Sequence, residues 1–139
     1  MIVLDTNVVS ELMKPVPDAA VARWTAGQPA STLYTSSVTL AEIMLGVMLL
    51  PAGKRRIAIE AAAQAMFSQD FGGRILPFGI EAAHAYTRIA VQRRGAGRPI
   101  SQFDAQIAAI ASAARAAVAT RNLSDFEGCG IKLLSPWDA

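Results

Sequence analysis

Ile2-Val3-Leu4-Asp5-Thr6-Asn7 opens the chain, and its reading decides the fold. Three apolar residues ended by a carboxylate make a short strand that stops at its charge. Thr6 can then cap a helix over Asn7 to Met13, which halts before Pro15. A strand running straight into a helix is the repeating unit of an α/β sheet.

The same alternation recurs outward from that stretch. Asp18 opens a second helix that passes through Trp24 and closes at Gly27 and Pro29. Leu33-Tyr34-Thr35 reads as a second strand. Ser37 to Thr39 then start a helix with Leu40, Ile43, Met44, Val47 and Met48 at helical spacing, both methionines read as core, and Pro51 and Gly53 stop it. An amphipathic helix over about Lys54 to Phe71 comes next, then a third strand over Arg74 to Phe78 whose pairing Pro77 ends. A helix spans Ile80 to Arg94, and Arg93-Arg94-Gly95-Ala96-Gly97-Arg98-Pro99 reads as a mobile basic loop. An alanine-rich helix from about Ser101 to Ala116 precedes a fourth strand at Val118-Ala119-Thr120 and a fifth at Ile131 to Leu134. With no internal repeat, the expectation is one domain over residues 1–139: a layered α/β fold with a mainly parallel, roughly five-stranded sheet flanked by helices.

Composition narrows the classes of function. A chain of 139 residues can bury a real core without disulfides or a structural metal. Although 53% of residues are apolar, no run reaches the roughly 18 needed to span a membrane. The N-terminus has no basic region and places Asp5 where a signal peptide would stay apolar, so export is not expected. The single cysteine, Cys129, rules out an internal disulfide and suits a reducing cytoplasm. The lack of Cys/His pairs argues against zinc, so any metal must be held by oxygen. A net charge of +2 is compatible with a polyanionic partner without requiring one. The apolar surplus in so small a domain points to a hydrophobic homodimer interface.

In open α/β sheets, ligands bind beyond the carboxyl ends of the strands. Asp5 ends the first strand there, while Glu42 and Asp104 sit in the first turns of the helices opening near Thr39 and Ser101. Taken singly, Thr39-Leu-Ala-Glu42 and Ser101-Gln-Phe-Asp104 also fit the capping box, where the acid satisfies a free backbone donor. Taken together, converging carboxylates repel by about 4 kcal/mol per pair at about 4 Å and an effective dielectric near 20. No lysine lies near any of them in sequence, and a hard divalent cation such as Mg2+ or Mn2+ is the natural partner of an all-oxygen set. Gly46 and Ala108, one turn after Glu42 and Asp104, either leave room for a ligand or permit close helix packing.

Four segments in this order, covering essentially the whole chain, carry a resemblance: Asp5-Thr6-Asn7; Ala41-Glu42 with Gly46; Asp104-Ala105 with Ile107-Ala108; and Ala119-Thr120-Arg121-Asn122 through Asp125-Phe126. Together they resemble the PIN-domain ribonucleases, specifically the VapC/FitB-like toxins of type II toxin-antitoxin systems. That resemblance implies a PIN-like three-layer fold and a cytoplasmic toxin that cuts RNA with Mg2+ or Mn2+. It also implies a small cognate antitoxin that silences it, with DNA contacted only through that antitoxin. By matching positions, Asp5, Glu42 and Asp104 take the catalytic, metal-binding roles. Asp5 and Asp104 would bind the cation directly, and Glu42 would complete its shell or orient the attacking water. Thr6, Asn7, Thr120 and Asn122 are secondary candidates for holding waters or phosphate oxygens. Many relatives carry a fourth acid where this chain has Asn122; Asp125 is the nearest acid and otherwise caps the turn before Phe126, which leaves the number of metal ions open.

Other residues tempt less. His84 lies mid-helix one turn after Glu81, an ordinary surface pairing. Trp24 and Trp137 suit packing better than base stacking. Arg93, Arg94 and Arg98 precede the Asp104 helix closely enough to touch an RNA backbone, or are ordinary surface charge, whereas Lys54-Arg55-Arg56 reads as a solvated helix start. The strongest rival is a receiver-type domain with an acidic Mg2+ pocket, which needs an aspartate ending the third strand where this chain has Pro77-Phe78-Gly79. A haloacid-dehalogenase-like phosphatase wants a second aspartate where Asn7 stands, and a catalytically inactive acidic-pocket binding domain is the remaining alternative.

Overall fold

Val3 and Leu4 are both fully buried although they point to opposite sides of one strand, so β1 (Ile2–Leu4) is covered on both faces. The computed structural model describes residues Met1 to Ala139. In it β1 lies at the centre of a five-stranded, wholly parallel sheet of order β3-β2-β1-β4-β5. The other strands are β2 (Leu33–Ser36), β3 (Ile75–Leu76), β4 (Ala117–Ala119) and β5 (Leu133–Leu134). Receiver domains order their strands 2-1-3-4-5, so this topology sets that rival aside.

Register assigns the two faces. Val3 pairs with Val118, and both join Ile89 of α5 (Ile80–Gly95) and Ile107 of α6 (Gln102–Ala113) in one apolar cluster. Leu4 pairs with Ala119, and both face the opposite cluster of Val8, Val9, Ile43, Val47 and Phe67. That second layer is built from α1 (Thr6–Leu12), α3 (Ser37–Met48) and α4 (Lys54–Ala65). The helix α2 (Ala19–Ala26) packs on a short turn over Pro136–Asp138 at the C-terminus, where Arg121 stacks 5.2 Å from the Trp137 ring centroid. Trp24 and Trp137 are both packed against the second cluster, as read from the sequence.

The fold matches the expected α/β class, with instructive differences at its edges. Asp5, not Thr6, caps α1: its side chain accepts from the Thr6 amide. The long helix from Lys54 ends at Ala65 and passes into a wider turn over Met66–Asp70, closed by Phe71 N–H to the Met66 carbonyl at 2.9 Å. That wider turn leaves Phe67 and Phe71 both buried with ring centroids 6.3 Å apart. A four-residue helix, α7 (Leu123–Phe126), was not anticipated. Met48 is largely exposed, so only Met44 joins the core.

The supposed mobile basic loop is instead an ordered helix end. Helix α5 continues through Gly95, and Gly97 adopts φ +73° as its left-handed stop. Gly97 N–H donates to the Arg94 carbonyl at 3.1 Å and Arg98 N–H to the Arg93 carbonyl at 2.9 Å, the paired bonds of a Schellman motif.

Candidate active site

Two strand-to-helix junctions and one helix N-terminus bring the acids to a single edge of the sheet. Asp5 stands between β1 and β4, where the strand order reverses and a crevice must open. Its amide donates to the Ala119 carbonyl at 2.9 Å. Its Oδ1 accepts from the Thr6 amide at 2.8 Å, and its Oδ2 accepts from the Thr120 hydroxyl at 2.8 Å. Thr120 Oγ1 in turn accepts from the Asn122 amide at 3.1 Å and the Asn7 Nδ2 at 3.4 Å, while Asn7 Oδ1 accepts from the Arg121 amide at 3.2 Å. Thr6, Asn7 and Thr120 therefore hold Asp5 and the turn after β4, rather than presenting free side chains to a ligand. The Asn122 side chain is exposed and makes no capping bond.

Glu42 is not part of a capping box. Ser36 caps α3, accepting from the Thr39 amide at 3.1 Å, which places Glu42 beyond the first turn. Its Oε1 accepts instead from the Thr6 hydroxyl at 2.8 Å. Asp104 does sit at the third position of a capped helix: its amide donates to Ser101 Oγ at 3.2 Å. The Ser101 amide does not donate back to its carboxylate, which has the Ser101 hydroxyl beside it.

The electrostatics follow from burial. Asp5 is only 5% exposed, and its pKa is pushed up to about 6, chiefly by loss of water. The Thr120 and Thr6 hydrogen bonds oppose that rise, while the charges of Asp104 and Glu42 add to it. Burial also raises Asp104; Asp125 adds to the rise, and the Ser101 hydroxyl and Arg93 oppose it. The ion pairs of the protein, Lys14 with Glu11 and Arg98 with Glu127, include none of Asp5, Glu42 or Asp104.

No group of three His, Cys, Asp or Glu side chains is gathered closely enough to hold a metal ion by itself. The donors at this edge are nonetheless all oxygen and partly dehydrated, and none makes an ion pair, although the Arg93 charge acts on Asp104. Such a set fits a hard ion of the Mg2+ kind, which retains several waters and takes one or two carboxylates directly.

Arg93 corrects the basic-loop reading. Only 5% exposed, its guanidinium donates to the carbonyls of Arg98, Asp125 and Glu127 at 2.7, 2.8 and 2.9 Å. It is an internal clamp on the segment around α7, out of reach of an RNA backbone. Arg98 is exposed but paired with Glu127 at 3.2 Å, and Arg94 is exposed. Asp125 is exposed in the first turn of α7, near enough to Asp104 to raise its pKa. His84 is exposed on α5, away from the strand ends.

The two small residues part company. Ala108 is completely buried and serves helix packing. Gly46 is exposed, has no atom within 4 Å of where a Cβ would stand, and lines a groove of about 740 Å3 between α1, α3 and α4. That groove starts at Thr6 and Glu42 and runs over Ile43, Val47, Leu50 and Ile59, so it is mainly apolar at the far end from the acids. The sequence offers Thr39 only as the cap of Thr39-Leu-Ala-Glu42, whereas its hydroxyl stands 3.1 Å from Thr6 Oγ1.

A wholly parallel α/β sheet with carboxylates along its edge of strand reversal defines a class of α/β domains whose ligand site lies at that edge. Comparison with known proteins narrows the class. Residues 2–127 match the PIN domain family. The chain is 42% identical over 138 residues to the VapC ribonuclease Y4jK of Sinorhizobium fredii, covering 99% of each chain. It is 36% identical over 137 residues to the toxin FitB of Neisseria gonorrhoeae, again covering 99% of each. Its backbone superposes on a solved structure of FitAB bound to an IR36 DNA fragment with a TM-score of 0.92 at 36% identity, covering 99% of this chain and 96% of that one. The chain belongs to the PIN-domain family, among its VapC/FitB-like toxins.

Proposed function

We propose that this protein is the endoribonuclease toxin of a toxin-antitoxin pair, hydrolysing RNA phosphodiester bonds at Asp5, Glu42 and Asp104 with the help of Mg2+ or Mn2+. One observation carries the reading: a nearly buried carboxylate, Asp5, faces the charges of Asp104 and Glu42 and has no basic side chain of its own to balance it. An arrangement so costly by itself is accounted for by a cationic ligand. The name of the Sinorhizobium relative supports the RNA-cutting role.

A bound divalent cation would neutralise phosphate charge and acidify a water. The side chains of this chain do the rest. Each oxygen of Asp5 accepts one hydrogen bond, from Thr6 or Thr120, which fixes the carboxylate plane while leaving lone pairs for a ligand. Glu42 is held through Oε1 by Thr6, so Oε2 is free of protein donors and can orient a water. Asp104 projects from the N-terminal turn of α6, whose unpaired amides favour anionic groups nearby.

Regulation by a small antitoxin fits the groove that begins at Glu42. An apolar segment lying there would bring an arginine or lysine among the three acids, where arginine binds carboxylates bidentately and cannot lose its charge. FitAB has been solved bound to a DNA fragment, and in this protein any DNA contact would come through the partner.

Incubation with a panel of RNAs, with and without Mg2+ or Mn2+, tests the reading. Cleavage that EDTA abolishes and that Asp5→Asn or Asp104→Asn removes is the expected result. No cleavage of any RNA under any metal would leave a binding domain with an inactive acidic pocket.

A further inference from the structure

Glu42 is the end of a chain of hydroxyls drawn from three elements. Ser36 ends β2, Thr39 lies in the first turn of α3, and Thr6 opens α1. Ser36 Oγ stands 3.3 Å from Thr39 Oγ1, Thr39 Oγ1 stands 3.1 Å from Thr6 Oγ1, and Thr6 Oγ1 stands 2.8 Å from Glu42 Oε1. Ser36 and Thr39 are fully buried.

Proton counting sets the direction of every link. An ionised carboxylate only accepts, so Thr6 must give its single hydroxyl proton to Glu42. The Thr6–Thr39 contact is then a donation from Thr39, which leaves Thr39 an acceptor towards Ser36. The far end is pinned as well, because Ser36 Oγ accepts the Thr39 amide at 3.1 Å. The links shorten towards the charge, as expected when donors along a chain polarise one another towards an anion.

Thr39 stands in the first turn of α3, where the residue four back, Thr35, belongs to β2 and offers no helical carbonyl, so its hydroxyl bonds between elements instead. We infer that Thr39 is a positioning residue that acts through Thr6 to hold Glu42 Oε1 in place and keep Oε2 turned to the substrate. The inference rests on the proposed role of Glu42 in RNA cleavage.

Thr39→Val keeps the shape and removes the hydroxyl; Thr39→Ser keeps the hydroxyl. With the full chain, an RNA it cleaves and Mn2+, Thr39→Val should lower kcat about tenfold with KM changed less than about twofold, because the defect is one of orientation. Thr39→Ser should stay within about threefold of the parent. Thr6→Val, at a less buried site than Thr39, should reproduce the kcat loss. Independently of activity, urea unfolding of Thr39→Val, Glu42→Leu and the double variant should be non-additive by about threefold or more in the unfolding constant, and that coupling should vanish in a Thr6→Val background because it runs through Thr6. Parental kcat in Thr39→Val, equal losses in the Val and Ser variants, or an additive unfolding cycle would each overturn the inference. If the parent cleaves no RNA, the proposed function fails by itself, and the unfolding cycle still decides whether the hydroxyl chain couples Thr39 to Glu42.

Discussion

At the residue scale the decisive feature is Asp5, a carboxylate kept almost dry beside two others. Its pKa rises from 3.8 to about 6, which at about 1.4 kcal/mol per unit corresponds to roughly 3 kcal/mol of strain on the ionised form. The sign follows from proton binding. Between those two values the folded protein holds more protons than the unfolded chain, so stability present below about pH 4 is lost as pH rises through about 6. In metal-free protein, Asp5→Asn should therefore raise stability near pH 7.5 by about 1 to 2 kcal/mol, the shortfall reflecting a poorer bond to Thr120. Near pH 4.5 the gain should shrink towards zero. Urea unfolding in EDTA at both pH values measures this, and a gain independent of pH would show that Asp5 is not the titrating group. The same variant should lose RNA cleavage, which separates a functional acid from a structural one.

At the scale of elements, the segment carrying α7 depends on a partner from another helix. Arg93 of α5 binds the Asp125 and Glu127 carbonyls, and Phe126 is the one buried residue of α7. Arg93→Met leaves three partly buried carbonyls without their donor, and a loss of about 2 to 4 kcal/mol is expected from urea midpoints. Arg93→Lys should recover little of it, since an ammonium cannot reproduce the fork that spans three carbonyls. Phe126→Ala, at 1% exposure, should cost about 3 to 5 kcal/mol by leaving a cavity. Stability close to the parent in either the Met or the Ala variant would mean that α7 is held by something other than this clamp.

At the scale of the molecule, apolar surface remains after the core is filled. Leu45 and Met48 of α3, Leu49 just after it, Ile57 of α4 and Val91 of α5 are all substantially exposed. Burying such surface against a second copy is the expected outcome, and light scattering at micromolar concentration should report about twice the chain mass of 14.7 kDa. A monomer at that concentration would leave the apolar surface to the antitoxin alone. A second expectation concerns the groove between α1, α3 and α4: Mn2+ should weaken antitoxin binding if a basic side chain of the antitoxin competes for the acids. Inhibition that survives replacement of every basic residue of the partner by alanine would replace that plug with simple steric occlusion.

The α/β alternation and the edge on which the acids fall were legible in the chain alone, because strand ends, caps and helical spacing are local properties. Ile2-Val3-Leu4-Asp5 already contained a strand and the carboxylate at its end. Strand order was not legible, since it depends on which short apolar strands pair across long separations, and only the sheet placed Asp5 at the reversal between β1 and β4. Arg93 looked like surface charge because the carbonyls it binds lie about thirty residues on, at Asp125 and Glu127. Thr39 looked like the cap of its own helix for a similar reason. Its hydroxyl meets Thr6 from another strand-to-helix junction, and no spacing along the chain reveals that meeting. Local patterning determined which residues this protein offers for chemistry; tertiary contact decided which of them are free to act and which hold the others in place.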